Sequence, residues 1–178
     1  ILHPPEWKIM RRAKLDTDYF NVTVVRRHDA EPTSLMFSSD MTAQGRHLVL
    51  AKATDWKIAN VHAESGAGPT EIEAREKQYS TLQRIAAQYS TAPMWIIAGD
   101  FNARAGEDQR MLADGWQDAW CEVSARDGVQ REDWTWKKGE HKARYDRLYF
   151  RSTEEYTVRC VQAEVMRDVW ERMCTDHA

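Results

Sequence analysis

Four short stretches concentrate the side chains able to handle protons and phosphate oxygens: "NVHAES" (Asn60–Ser65), "GDFNAR" (Gly99–Arg104), "RYDRLYF" (Arg144–Phe150) and "TDH" (Thr175–His177). Hydrolysis of a phosphoester needs a carboxylate to take a proton from water and neutral or cationic donors for the phosphoryl oxygens. It usually also needs a hard divalent ion held by carboxylate oxygens. Asp100, Asn102, His62, His177 and Asp176 supply those types, short of a complete metal-ligand set. Each stretch also has a structural reading when taken singly. His62 shares one face of a period-two strand with Asn60, where a histidine commonly serves packing. Gly99-Asp100 reads equally as a turn, because aspartate bonds its own backbone there. Asp146 between Arg144 and Arg147 reads as a surface ion pair, and Asp176-His177 as an idle chain end. Together, and each at a strand end or in a neighbouring loop, they are better explained by chemistry.

A scaffold must bring these stretches together. The 178 residues suit one domain, 1–178, and no repeat, low-complexity tract or linker divides them. Hydrophobic residues make up 42% and charged residues 30%, a globular balance. A net charge of −3 argues against nonspecific coating of nucleic acid but leaves room for a local basic groove. There is no apolar stretch long enough to cross a bilayer and no leader of the secretory kind, so no membrane partner is expected. Cys121, Cys160 and Cys174 are odd in number and scattered, which reads as free thiols in a reducing compartment. The expected location is therefore intracellular, nuclear or cytoplasmic.

"YFNVTVVRR" (Tyr19–Arg27), "RHLVLAKA" (Arg46–Ala53) and "WKIANVH" (Trp56–His62) are rich in β-branched and aromatic residues and predict strands. Thr54-Asp55 between the last two suggests an antiparallel hairpin. Thr70 and Glu73 spell a capping box after Pro69, and Ile72, Tyr79, Leu82, Ile85, Ala86 and Tyr89 recur at helical spacing up to about Ser90. "MWIIA" before Gly99 fits a strand buried on both faces. "YDRLYFR" (Tyr145–Arg151) and "YTVRCVQAEV" (Tyr156–Val165) predict two further strands, whereas residues 1–18 carry no clear pattern. Strands with hairpins and some helix point to an α/β sandwich of layered sheets. Trp95, Trp116 and Trp120 are expected in its core.

The order His-x-Glu-Ser, Gly-Asp-Phe-Asn-x-Arg, Arg-x-Asp-Arg-Leu-Tyr-Phe and Thr-Asp-His resembles the endonuclease/exonuclease/phosphatase superfamily. Within it, "HAES", "EAREKQ" (Glu73–Gln78), "GDFNAR", "GWQDAW" (Gly115–Trp120), "WTW" (Trp134–Trp136) and "YDRLYFR" are most similar to the 5′-tyrosyl-DNA phosphodiesterases. Those enzymes remove a topoisomerase's tyrosine from a DNA 5′ phosphate. The resemblance runs from about Tyr19 to His177. It implies a four-layered α/β sandwich, two packed mixed or antiparallel sheets flanked by helices.

The resemblance also implies roles. Asp100 would activate the attacking water, with Asn102 holding that water or the phosphate. His177 would stabilise charge on the transferring phosphate, and Asp146 would orient its imidazole. Asp176 would lie in or beside a metal shell holding Mg2+, with Mn2+ as an alternative. His62 and Ser65 would contact the scissile or neighbouring phosphate, and Arg104 would line the DNA groove. Trp136 would pack on the substrate strand or shape its channel, unless it packs in the core with Trp134. The implied activity is a metal-dependent phosphoric diester hydrolase of DNA-repair type, its partner a nucleic acid with a 5′ phosphotyrosyl or similar end.

One departure stands out. The family's opening strand with its asparagine, and the later strand end with its metal-binding glutamate, have no counterpart before Tyr19. The N-terminal strands are thus expected to be missing, with a further N-terminal segment or a partner chain covering the open sheet edges. Two alternative readings follow: a catalytically inactive subunit of the same fold with a structural or nucleic-acid-binding role, or another phosphoesterase of that fold.

Overall fold

A computed structural model of the chain describes residues 7–11, 22–26, 34–38, 48–52, 56–88, 94–107, 109–128, 132–153, 155–165 and 177, the first three segments as backbone only. The described residues form a mixed α/β structure around one open six-stranded sheet. Its strands are β3 (Ser34–Ser38), β4 (Leu48–Lys52), β5 (Trp56–His62), β6 (Met94–Asp100), β7 (Gln117–Asp118) and β10 (Asp146–Arg151). They lie side by side in the order β3-β4-β5-β6-β10-β7. Two smaller sheets flank it: β1 (Trp7–Arg11) with β2 (Val22–Arg26), and β8 (Trp136–Lys138) with β9 (His141–Ala143). β1 falls where the residue pattern predicted nothing.

β4 and β5 pair antiparallel as expected of a hairpin, although Thr54-Asp55 lies outside the described residues. β5 and β6 pair in parallel, which requires a crossover, and helix α1 (Pro69–Gln88) provides it. The helix starts two residues earlier than the capping box implies. Pro69 takes the first helical position, where its missing N–H costs nothing, and Thr70 is already inside the helix. The predicted end near Tyr89 and Ser90 lies outside the described residues. The inner face of α1 carries Tyr79, Leu82 and Ala86, which join Leu48, Leu50, Ala59, Val61, Trp95, Ile97 and Tyr149 in one core cluster. Burial of each large side chain there contributes on the order of 2 kcal/mol.

That packing corrects the reading of "MWIIA". Trp95 and Ile97 are buried under α1, while Met94 and Ile96 on the opposite face are only partly buried. The alternation is that of a strand with unequal faces, not one enclosed on both sides. Trp95 and Trp116 are core residues as expected, meeting edge to face with centroids 6.4 Å apart. Trp120 is not; it is half-buried and lines a cavity of about 410 Å³ beside Leu148 and Asp146.

The strand predicted over Tyr156–Val165 does not form. Its main-chain groups are bound by side chains instead of a neighbouring strand. Arg126 donates to the carbonyls of Cys160 and Val161, Glu122 accepts from the Cys160 N–H, and the Ser152 hydroxyl accepts from the Val158 N–H. Glu122 and Arg126 belong to α3 (Ala119–Asp127), so the helix pins an irregular segment that β propensity alone would extend. A short α2 (Gln109–Ala113) precedes it.

Asp118 caps α3 through the N–H groups of Trp120 and Cys121, and Gly128 closes the helix in the left-handed conformation. Both Asp118 oxygens also accept from Arg144 at 2.9 Å. Burial works against this carboxylate, but the bonds from Arg144 and the Cys121 N–H outweigh it and hold its pKa below the ordinary value. A depressed folded-state pKa means stability present above the unfolded carboxylate range and lost as pH falls through the folded value. Acidification from neutrality to about pH 3 should therefore cost the parent more unfolding free energy than Asp118→Asn, measured by denaturant titration at each pH. Equal losses would remove Asp118 from the account.

Candidate active site

Strand register decides which polar side chains meet. His62 stands opposite Asp100 at the end of the β5–β6 pair, and Asp100 stands opposite Asp146 at the end of the β6–β10 pair. Three strands thus deliver His62, Asp100 and Asp146 in one row across a single edge of the sheet. By the period-two rule all three point to the face away from α1. His177 reaches the same place by a separate route, its backbone bridging to Trp136 at the start of β8.

The row is closely knit. His177 Nδ1 lies 2.8 Å from Asp146 Oδ2, and its Nε2 lies 3.9 Å from Asp100 Oδ2. His62 Nε2 approaches the same Asp100 oxygen at 3.5 Å. The short contact with the carboxylate favours the tautomer of a neutral His177 that carries its proton on Nδ1. Nε2 is then turned toward Asp100. Two imidazoles and a carboxylate converge on one point, with Asp100 only 16% exposed at its side chain.

Local backbone geometry makes this convergence. Gly99 has φ +132°, a conformation L side chains rarely adopt, and a Cβ there would lie 2.0 Å from the Val61 carbonyl oxygen. Only glycine lets β6 run this close to β5 just before Asp100. After the strand, Asn102 takes a left-handed φ of 47°. That turn brings its N–H to Asp100 Oδ1 at 2.8 Å and its Nδ2 to Asp100 Oδ2 at 3.1 Å. The second proton of Nδ2 goes to the Ala63 carbonyl at 3.1 Å, while the Ala63 N–H donates to the Asp100 carbonyl at 2.7 Å. The buried Asn102 amide therefore holds Asp100 and the loop after β5, with both of its protons engaged. Across the sheet, the Thr135 hydroxyl accepts from the N–H groups of both Tyr145 and Asp146, fixing the entry to β10.

The remaining expected residues lie around this row. Ser65 is half-buried in the loop between β5 and α1. Arg104 follows the Asn102 turn, its guanidinium 4.6 Å from the Tyr145 ring centre and bonded to the Gly66 carbonyl at 3.3 Å. It lines a groove of about 560 Å³ with Tyr145, Trp134, Lys142, Arg144 and Arg147. Trp136 packs on Tyr145 with ring centres 5.3 Å apart, while Trp134 is occupied with Lys142 and Glu132. Asp176 lies outside the described residues. Arg144 and Arg147 pair with Asp118, while the Asp146 carboxylate is bound to His177.

Residue spacing did not point to Arg75, Gln78, Glu107 or Thr135. The one signal was polar residues at helical positions that turn inward, the Arg75-x-x-Gln78 of "EAREKQ"; both are fully buried. Among the described residues, no three His, Cys, Asp or Glu side chains are arranged to hold a metal ion. Mg2+ takes an oxygen-rich octahedral shell, whereas the Asp100 and Asp146 oxygens face amide and imidazole donors. The described residues alone thus do not make its site.

The open mixed sheet with its parallel crossover is a fold shared with solved structures that include an endonuclease/exonuclease/phosphatase family protein from Bacteroides thetaiotaomicron. Among solved structures the chain is similar to humanized D. rerio TDP2 (20% identity, TM-score 0.71), over 86% of this chain and 64% of that one. D. rerio TDP2 complexed with single strand DNA product is similar at 21% identity and TM-score 0.67, over 86% and 65%. The 3′-5′ exonuclease NExo from Neisseria meningitidis follows at 16% identity and TM-score 0.65, over 83% and 68%. The chain thus spans just under two thirds of the two TDP2 chains. At these identities the likeness establishes the fold. No protein-family model matches the chain, and no curated protein matches its sequence. Among the described residues no helix is long and apolar enough to cross a membrane.

Proposed function

We propose that the chain is a phosphodiesterase that hydrolyses the bond between a 5′ phosphate of DNA and a tyrosyl oxygen. The observation that carries this reading is the row His62, Asp100 and Asp146 on three neighbouring strands, with His177 held against Asp146 and Asn102 locked against Asp100. In the proposed reaction Asp100 takes a proton from water. The water oxygen forms the new bond to phosphorus as the bond to the tyrosyl oxygen breaks. His177, held through Nδ1 by Asp146, presents Nε2 to the charge gathering on the phosphoryl oxygens. His62 and Ser65 bind the phosphate, Arg104 contacts the strand along its groove, and Trp136 shapes the channel beside it.

The divalent ion that the resemblance implies, Mg2+ or Mn2+, enters the proposal through Asp176. It would supply Lewis-acid stabilisation of phosphoryl charge.

The D. rerio TDP2 structure holds a single strand DNA product, which supports a nucleic-acid end as the substrate class. NExo, a 3′-5′ exonuclease on the same fold, supports a second reading in which the scissile bond lies at a 3′ end. A panel of oligonucleotides separates them: one 5′-tyrosyl, one 3′-phosphate and one plain 3′ end, each with and without Mg2+. The expected result is release of 5′-phosphate DNA from the first alone, abolished by chelation. Hydrolysis only at 3′ ends selects the second reading, and no product from any substrate overturns both.

A further inference from the structure

Arg75 is completely buried in the middle of α1, yet it carries a full charge. Its guanidinium engages four acceptors. Nε and Nη2 bind the two Glu107 oxygens at 2.7 and 2.8 Å, a bidentate pair. Nη1 binds the carbonyl oxygens of Glu64 and Gly66 at 3.0 and 2.7 Å. The first pair belongs to the turn after β6, and the second to the loop between β5 and α1. Glu107 Oε2 also accepts from the Arg104 N–H at 3.2 Å, and Arg104 Nη2 donates to the same Gly66 carbonyl. Next along the helix, Gln78 accepts from the Glu64 N–H at 2.8 Å. Burial disfavours the Glu107 carboxylate, but the bonds from Arg75 and the Arg104 N–H keep it ionised.

We infer that Arg75 and Glu107 form a clamp that sets the spacing between the Ser65 loop and the Arg104 turn, and so positions the residues that grip the substrate strand. The inference rests on the reading of Ser65 and Arg104 as strand-binding residues. Neither Arg75 nor Glu107 reaches the row of Asp100 and His177. Their effect therefore falls on substrate binding rather than on the chemical step. Loops displaced by about 1 Å weaken productive binding severely, whereas proton transfer at Asp100 retains its own supports in Asn102 and Ala63.

The test uses Glu107→Gln and the double variant Arg75→Met with Glu107→Leu. The single variant leaves a buried cation poorly paired and can unfold the chain; the double variant removes both charges together and keeps the test decisive. Folding is checked by thermal melting, then amide exchange over residues 64–66 and 103–107 is measured together with KM and kcat on a 5′-tyrosyl oligonucleotide. The clamp predicts faster exchange in both segments, KM raised at least ~10-fold and kcat within ~3-fold of the parent. Exchange accelerated in one segment only would overturn it, as would an unchanged KM with both segments loosened, or a fall confined to kcat. A parent chain without activity on any phosphodiester would instead sink the proposed function, with the exchange pattern still deciding whether the two loops are coupled.

Discussion

Asp100→Asn is expected to lower turnover of a 5′-tyrosyl oligonucleotide by about 10³-fold, the scale of losing a positioned general base. The variant should remain folded. Its side-chain oxygen can still accept from the Asn102 N–H, the 2.8 Å bond that shapes the turn. What changes is the second position, where an amide NH2 would face Asn102 Nδ2 in place of the oxygen that now accepts at 3.1 Å. Two donors facing each other cost about 1–2 kcal/mol, visible as a modest drop in melting temperature. His62 and His177 also lose the anion toward which both point. Single-turnover kinetics at saturating substrate isolates the chemical step. A residual rate above one tenth of the parent would remove Asp100 from the role of base.

Gly99→Ala should produce the largest loss of stability of any single methyl addition near the site. The added carbon would sit 2.0 Å from the Val61 carbonyl oxygen and 3.0 Å from its carbonyl carbon and amide nitrogen, all backbone atoms of the adjacent strand. None can swing aside as a flexible side chain would. The φ of +132° adds strain for any residue with a Cβ. Together these effects amount to about 2–5 kcal/mol, a large share of a domain's total stability. The accommodation must open β5 from β6 at the pair Val61–Gly99, one residue before His62 faces Asp100. Activity should fall with stability in this variant, unlike Asp100→Asn, which separates the two. Denaturant unfolding that places Gly99→Ala within about 1 kcal/mol of the parent would refute the close approach.

The two variants also mark how far the residue pattern reaches. Strand-forming runs ending in His62 and Asp100 announced themselves, because β-branched and aromatic residues stop abruptly at polar ones. The αL turn at Asn102 fits a side chain that tolerates positive φ. The irregular course of Tyr156–Val165 did not announce itself. Its composition favours a strand, but side chains bind backbone groups that a strand would use, those of Glu122 and Arg126 from more than thirty positions away and that of Ser152 from six. Trp120 was misjudged for a similar reason: a large indole is usually core, but here it borders a cavity at the edge of α3.

Taken alone, the chain's residues determined the elements that carry the site, β5, α1 and β6, the mixed α/β class and the local chemistry of each polar cluster, since these depend on neighbours within a few positions. Tertiary structure alone decided that His62, Asp100 and Asp146 share one row, because register between strands is set by pairing and packing over long separations. It also decided that Arg75 and Glu107 face inward. Charged residues on a helix ordinarily face water, and only the carbonyls of a distant loop and the carboxylate of a distant turn make burial of that guanidinium favourable.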